Sequence, residues 1–192
     1  MKMVKPLLFL LCLAPLAVTL WQLLVLNSSP DPAKSLVDAT GIWALHFLGL
    51  CLCLTPLRYL TGDGRWLRFR RMLGLFAFFY ATLHLLAYVF LLFGAEWGKV
   101  WDELSKRPYI MVGFAAWLLL LPLAVTSTQG WQRRLRSRWK SLHQLVYLAA
   151  LLVITHYSWL EKLGLAATWP YALALAVLLG VRLYLRYRPT SR

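Results

Sequence analysis

Acidic side chains are scarce in this sequence: seven Asp and Glu stand against 21 Lys and Arg in 192 residues. Other absences narrow the field further. The three cysteines, Cys12, Cys51 and Cys53, form no C-x-x-C pair. Cys51 and Cys53 are two apart, on nearly opposite sides of a helix, so thiol redox or metal chemistry is not expected of them and burial as small hydrophobes is. No G-x-G-x-x-G run occurs, which excludes a dinucleotide fold of the usual fingerprint. No small-x-small cleavage site follows the first apolar run, whose length exceeds a signal peptide's, so that run is expected to be a retained helix. Long polar stretches are missing too, which leaves no room for a soluble domain.

What is present is hydrophobic. Apolar residues make up 60% of the chain, ten residues are Trp, and the mean hydropathy is +0.62. A bilayer core about 30 Å thick needs roughly 20 apolar residues per helix. Six such runs fall at about 7–26, 41–57, 72–93, 108–126, 141–160 and 170–187. The expected fold is therefore an all-α integral membrane protein, one six-helix bundle occupying residues 1–192 within the lipid bilayer.

The charges orient it. With the N-terminus inside, the inner segments hold sixteen of the 21 basic residues: Lys2, Lys5, Arg58, the group Arg65, Arg68, Arg70 and Arg71, the group Arg133 to Lys140, and Arg182, Arg186, Arg188 and Arg192. The outer segments hold Lys34, Lys99, Lys106, Arg107 and Lys162, and six of the seven acids. Excess Lys and Arg on the cytoplasmic side is the orienting signal of membrane proteins, so both termini are expected to be cytoplasmic. The same asymmetry explains the charge of +14 without any nucleic-acid partner.

All four histidines, His46, His84, His143 and His156, fall inside apolar runs, where an ionisable residue is a functional candidate. His84 lies thirteen residues, about 20 Å, from the inner edge of the third run, and His156 lies sixteen residues into the fifth. Two imidazoles at one depth on two helices suit a haem ligated from both faces. Gly74, Ala77, Ala81 and His84 form a stripe of small residues on which a macrocycle could lie, or on which helices could simply pack. His143 lies near the inner face. About 20 Å of axial rise separates it from His156, a spacing suited to two stacked redox centres, but their relative rotation of about 220° requires a bent helix or another neighbour for a second group. His46 lies near the outer surface, its role left open.

The runs RRMLGLFAFFYATLHLLAY (70–88), RPYIMVGFAAWLLLLPLAVTSTQ (107–129) and WKSLHQLVYLAALLVITHY (139–157) resemble the ferric reductase-like transmembrane family. Within it they are most similar to the haem-binding membrane subunits of bacterial periplasmic methionine sulfoxide reductase systems. The resemblance implies a six-helix haem b protein of the bacterial inner membrane. It would pass electrons from the respiratory quinone pool, with FMN also associated, to a periplasmic molybdopterin-containing subunit that reduces methionine sulfoxide. It implies His84 and His156 as ligands of an outer haem and His143 as an inner ligand. The family's inner partner fourteen residues before His84 is here Arg70, so the resemblance leaves one haem or two. No residue has the chemistry for sulfoxide reduction itself, so no catalytic residue is assigned.

Arg70 and Arg71, at the start of the His84 helix, are candidates for haem propionates or a flavin phosphate, because guanidinium pairs bidentately with such anions. Topology alone also places basic residues there. Segment 95–107 reads as an interfacial helix, with Trp97, Trp101 and Leu104 on one face serving as a headgroup anchor or a docking ledge. Pro56 and Pro122 are expected to kink the inner ends of their helices. The competing class is a proton channel or transporter whose relay would be His84, His143 and His156; a non-redox scaffold with packed histidines is the third.

Overall fold

Proline and capping chemistry set the boundaries of the helices. The computed structural model describes residues 4–161 and 165–187. Lys2, Lys162, Arg188 and Arg192, counted above for orientation, lie outside the described residues, as does the side chain of Arg186. Helix α1 is Val4–Leu24 and α2 is Pro32–Thr61. Asp31 caps α2 by accepting from the Lys34 N–H at 2.9 Å, Pro32 opens it, and Gly62 at φ +70° ends it. A 3-10 segment, Gly64–Phe69, leads into α3, Arg70–Ala87, which continues as a π-turn over Tyr88–Leu92. Then come α4 (Trp97–Lys106), α5 (Pro108–Val125), α6 (Gln129–Leu135), α7 (Ser137–His143), α8 (Leu145–Leu160) and α9 (Leu165–Tyr187).

Among the described residues, four stretches are long and apolar enough to cross a membrane: Val4–Leu24, Pro32–Thr61, Gly64–Leu92 and Pro108–Val125. The runs expected at 141–160 and 170–187 are also helical but shorter as apolar helices. The break at Gln144 leaves α8 with 16 residues, about 24 Å. Within α9 the apolar part is Thr168–Tyr184.

Helix α2 pairs with α3, and α5 with α8. Their shared interior contains Phe47, Leu52, Phe76, Tyr80, Leu120 and Ala149, with Cys12 of α1 and Leu175 of α9 closing its flanks. The outward faces stay apolar, with Leu7, Leu10 and Leu11 of α1 and Leu173 and Val177 of α9 exposed. Water would penalise such a surface, whereas lipid accepts it. This is an all-helical membrane protein.

Two polar side chains bond helix backbone close to prolines. Pro56 has no N–H to offer the carbonyl of Leu52, and Arg182 of α9 donates to that carbonyl at 2.7 Å, while also bonding Thr55 Oγ1 (3.0 Å) and the Tyr147 hydroxyl (2.9 Å). Arg182, counted above among the orienting charges, therefore ties α9 to α2 and α8. In α1, next to Pro15, the buried Tyr80 hydroxyl accepts from the Leu16 N–H at 3.1 Å and donates to the Cys12 carbonyl at 2.9 Å, so it bonds both backbone groups of one helical turn. Pro122, by contrast, is inside α5 near its end, where its own carbonyl accepts from the N–H and hydroxyl of Thr126.

At the end of the bundle carrying Arg65 to Arg71, Asp63 accepts from the backbone N–H and the side chain of Arg65, which holds its carboxyl below the usual aspartate range.

Candidate functional site

His84 and His156 project from α3 and α8 into one cavity of about 1680 Å³, which extends as far as α4. Their ring centres are 6.3 Å apart and the ring planes are nearly perpendicular, at 80°. Each ring is held in the same way. His84 Nδ1 is 2.8 Å from the carbonyl of Val37, and His156 Nδ1 is 2.7 Å from the carbonyl of Tyr109. A carbonyl only accepts, so Nδ1 carries the proton in both, and Nε2 is left with its lone pair. This is the tautomer a metal requires, and the second bond fixes the ring's orientation.

The seats are backbone seats. A methyl group built on Gly41 would lie 2.9 Å from His84 Nδ1, and one on Gly113 would lie 2.8 Å from His156 Nδ1. Each glycine is one turn beyond the carbonyl that its histidine bonds, and each carbonyl lies 47 residues before its histidine. The pairs α2–α3 and α5–α8 thus repeat one device: a glycine lets a neighbouring helix come close enough for an imidazole to bond its backbone. The π-turn at Tyr88–Leu92 begins one helical turn after His84, and Tyr88 and Val89 line the cavity with Ala44, Ala81, Ala116 and Val153.

The sequence-derived stripe is divided between two tasks. Ala81 and His84 face the cavity, but Gly74 packs against Cys51, where an added methyl would meet the sulfur at 3.5 Å, and Ala77 is fully buried in the core. The inner half of the stripe is therefore helix packing. The cysteines are free; Cys12 and Cys51 are buried and Cys53 is half-buried. No cluster of His, Cys, Asp and Glu suited to a bare metal ion occurs among the described residues.

His143 is apart from this cavity. It ends α7, donates from Nδ1 to the Trp139 carbonyl one turn back at 3.2 Å, and is stacked on the Trp139 ring at 4.0 Å. Arg70 and Arg71 open α3 at the end opposite His84, about 20 Å along the helix, and neither lines the histidine cavity. Among the described residues, the Lys and Arg that line it are Lys34 and Arg107. They precede the two seats, Lys34 paired with Asp38 and Arg107 with Glu103. The hydrogen bond from Arg107 to the Tyr109 hydroxyl (3.0 Å) raises the guanidinium's pKa further. His46 lies outside the cavity, between Trp43 and Tyr171, with Nε2 3.4 Å from the Tyr171 hydroxyl. Trp97, Trp101 and Leu104 of α4 form part of the cavity's outer wall.

Sequence reasoning missed Val37, Tyr109, Gly41, Gly113, Lys34 and Arg107. The equal spacing from Gly41 to His84 and from Gly113 to His156 was the available signal.

A helical membrane bundle with a paired-histidine cavity between α2–α3 and α5–α8 defines a class. The ferric reductase like transmembrane component family matches residues 40–154, and the chain belongs to that family. It is 50% identical over 184 residues to the protein-methionine-sulfoxide reductase heme-binding subunit MsrQ of Xanthomonas oryzae pv. oryzae (strain MAFF 311018), covering 93% of this chain and 84% of that one. The MsrQ subunit of Xanthomonas axonopodis pv. citri (strain 306) is also 50% identical, over 94% of this chain and 85% of that one. That of Polaromonas naphthalenivorans (strain CJ2) is 41% identical over 98% and 87%. No solved structure matches the chain.

Proposed function

We propose that this protein is the haem b electron-transfer subunit of a methionine sulfoxide reductase system, with His84 and His156 as the axial ligands. The observation that carries this reading is the 6.3 Å separation of the two imidazole centres. Metal–imidazole bonds of about 2.0–2.1 Å, with a further ~1.1 Å from nitrogen to ring centre, require roughly 6 Å across a shared ion. The cavity volume and the free Nε2 atoms fit the same group. A haem held by His84 and His156 would supply a one-electron ferric/ferrous couple, which suits electron transfer.

The chain's own residues then have defined tasks. Val37 and Tyr109 hold the imidazole tautomer and make both ligands more basic. Gly41 and Gly113 set the distance. The small apolar wall of Ala44, Ala81 and Ala116 excludes water, and Lys34 and Arg107 are the cavity's partners for propionates.

In this reading the bundle spans the bacterial inner membrane six times, with the basic end cytoplasmic. Electrons enter from the quinone pool, with FMN as an associated carrier, on the side of His143, Arg70 and Arg71. They leave from the α4 end to a periplasmic molybdopterin-containing subunit that performs the sulfoxide chemistry. The names of the relatives support the assignment to that system. A single haem fits better than two, because His143 is stacked on Trp139 and Arg70 stands where the family's inner partner would be.

The test is the reduced-minus-oxidised spectrum of membranes containing wild type, His84→Ala, His156→Ala or His143→Ala at equal expression. A low-spin b-type signal is expected in wild type and in His143→Ala, and its loss in the other two. Folded wild-type protein without any haem signal, under adequate haem supply, would overturn the reading in favour of a proton relay.

A further inference from the structure

A second groove, of about 410 Å³, runs between α1 and α3 at the basic end, well away from the histidine cavity. Lys5, Arg68 and Arg71 stand at its head, and Phe9, Leu13, Leu75, Phe76 and Phe79 line it deeper along the two helices. No acidic residue is among the described lining residues. Asp63, the acid at that end, is bonded to Arg65. Phe76 contacts Phe9 edge-on at 5.2 Å and Phe79 at 6.1 Å, which makes a continuous aromatic wall. Phe9 and Phe79 are also exposed on the lipid-facing side, so the groove is open laterally.

Three cations above an apolar wall specify an anionic amphiphile. The eight helical steps from Lys5 to Leu13 give about 12 Å of depth, enough for the upper part of an acyl chain. Arg71 offers a guanidinium fork to a phosphate and Lys5 a point charge, and Arg68 adds its positive charge beside them. A flavin fits poorly, because its pyrimidine edge would face Phe, Leu and Met with its donors and acceptors unpaired. A small soluble anion has no use for the aromatic wall. We propose that this groove is a binding site for one anionic glycerophospholipid, its phosphate held by Lys5 and Arg71 in the positive field that Arg68 adds, and one acyl chain lying along Phe9, Phe76 and Phe79. Arg71 then serves a lipid rather than a redox cofactor. The site does not depend on the haem assignment.

The experiment uses the full chain, purified in detergent and stripped of lipid, with native mass spectrometry to follow binding of phosphatidylglycerol and of phosphatidylcholine with identical acyl chains. The expected result is a preference of about tenfold or more for phosphatidylglycerol. The variant Lys5→Gln/Arg68→Gln/Arg71→Gln abolishes that preference, and Arg133→Gln/Arg134→Gln/Arg138→Gln, which removes three other cations, preserves it. Should the first triple variant not fold, Lys5→Gln and Arg71→Gln singly are each expected to reduce the preference. Equal binding of the two lipids, or equal losses in both triple variants, overturns the proposal. So does displacement of phosphatidylglycerol by FMN or by inorganic phosphate, which would assign the three cations to a soluble phosphate compound.

Discussion

At Gly113 the nearest imidazole atoms leave no room for a methyl group, and at Gly41 hardly more. Gly113→Ala must therefore push His156 off its seat or push α5 away from α8, and overpacking of this kind costs about 1–3 kcal/mol. The expected outcome is haem affinity lowered by about tenfold or more with the protein still folded, read by haem titration alongside size-exclusion profiles. Gly41→Ala is expected to act in the same direction through His84. Lys34 and Arg107 give a different signature. Replacing either with Gln removes a positive charge beside the cavity and releases a carboxylate, which favours the ferric state. The midpoint potential is expected to fall by on the order of tens of millivolts while the low-spin spectrum persists, as potentiometric titration would show. An unchanged potential in both variants would sink their assignment to the propionates.

The helices are tied by side chains that occupy gaps in neighbouring backbones. Tyr80→Phe keeps the ring and deletes the hydroxyl that bridges Leu16 and Cys12, stranding a donor and an acceptor inside the bundle. It is expected to destabilise the protein by about 1–3 kcal/mol without altering the haem spectrum, a result that thermal unfolding in detergent would register. This level was the least legible in the sequence. Depth along a helix follows from residue count, so the convergence of His84 and His156 could be anticipated from the 1.5 Å rise. Which backbone carbonyl each ring meets depends on the register between helices, and carbonyls carry no residue signature. For Gly74 and Ala77 the sequence leaves both a macrocycle surface and helix packing open, because periodicity gives a face but not the neighbour it meets. Arg182 looked like an orienting charge because the bare count cannot tell a loop cation from one that answers a proline.

For the molecule as a whole, charge asymmetry and six apolar runs made the membrane class legible, while the short α8 and the break at Gln144 were not. The break separates His143 from His156, so the fifth apolar run serves as two pieces, one in the basic end and one in the cavity. The repeated device of carbonyl, glycine and histidine has a consequence for assembly. The walls on the α2–α3 side and the α5–α8 side present matching features, Gly41 and Gly113, Ala44 and Ala116, a bonded imidazole on each. Haem b departs from two-fold symmetry only in the placing of its peripheral methyl and vinyl groups, and a slot whose two walls carry matching features discriminates weakly between its two faces. Freshly reconstituted protein should therefore hold the macrocycle in two orientations related by a half-turn, visible as doubled, paramagnetically shifted methyl resonances that settle slowly toward one set.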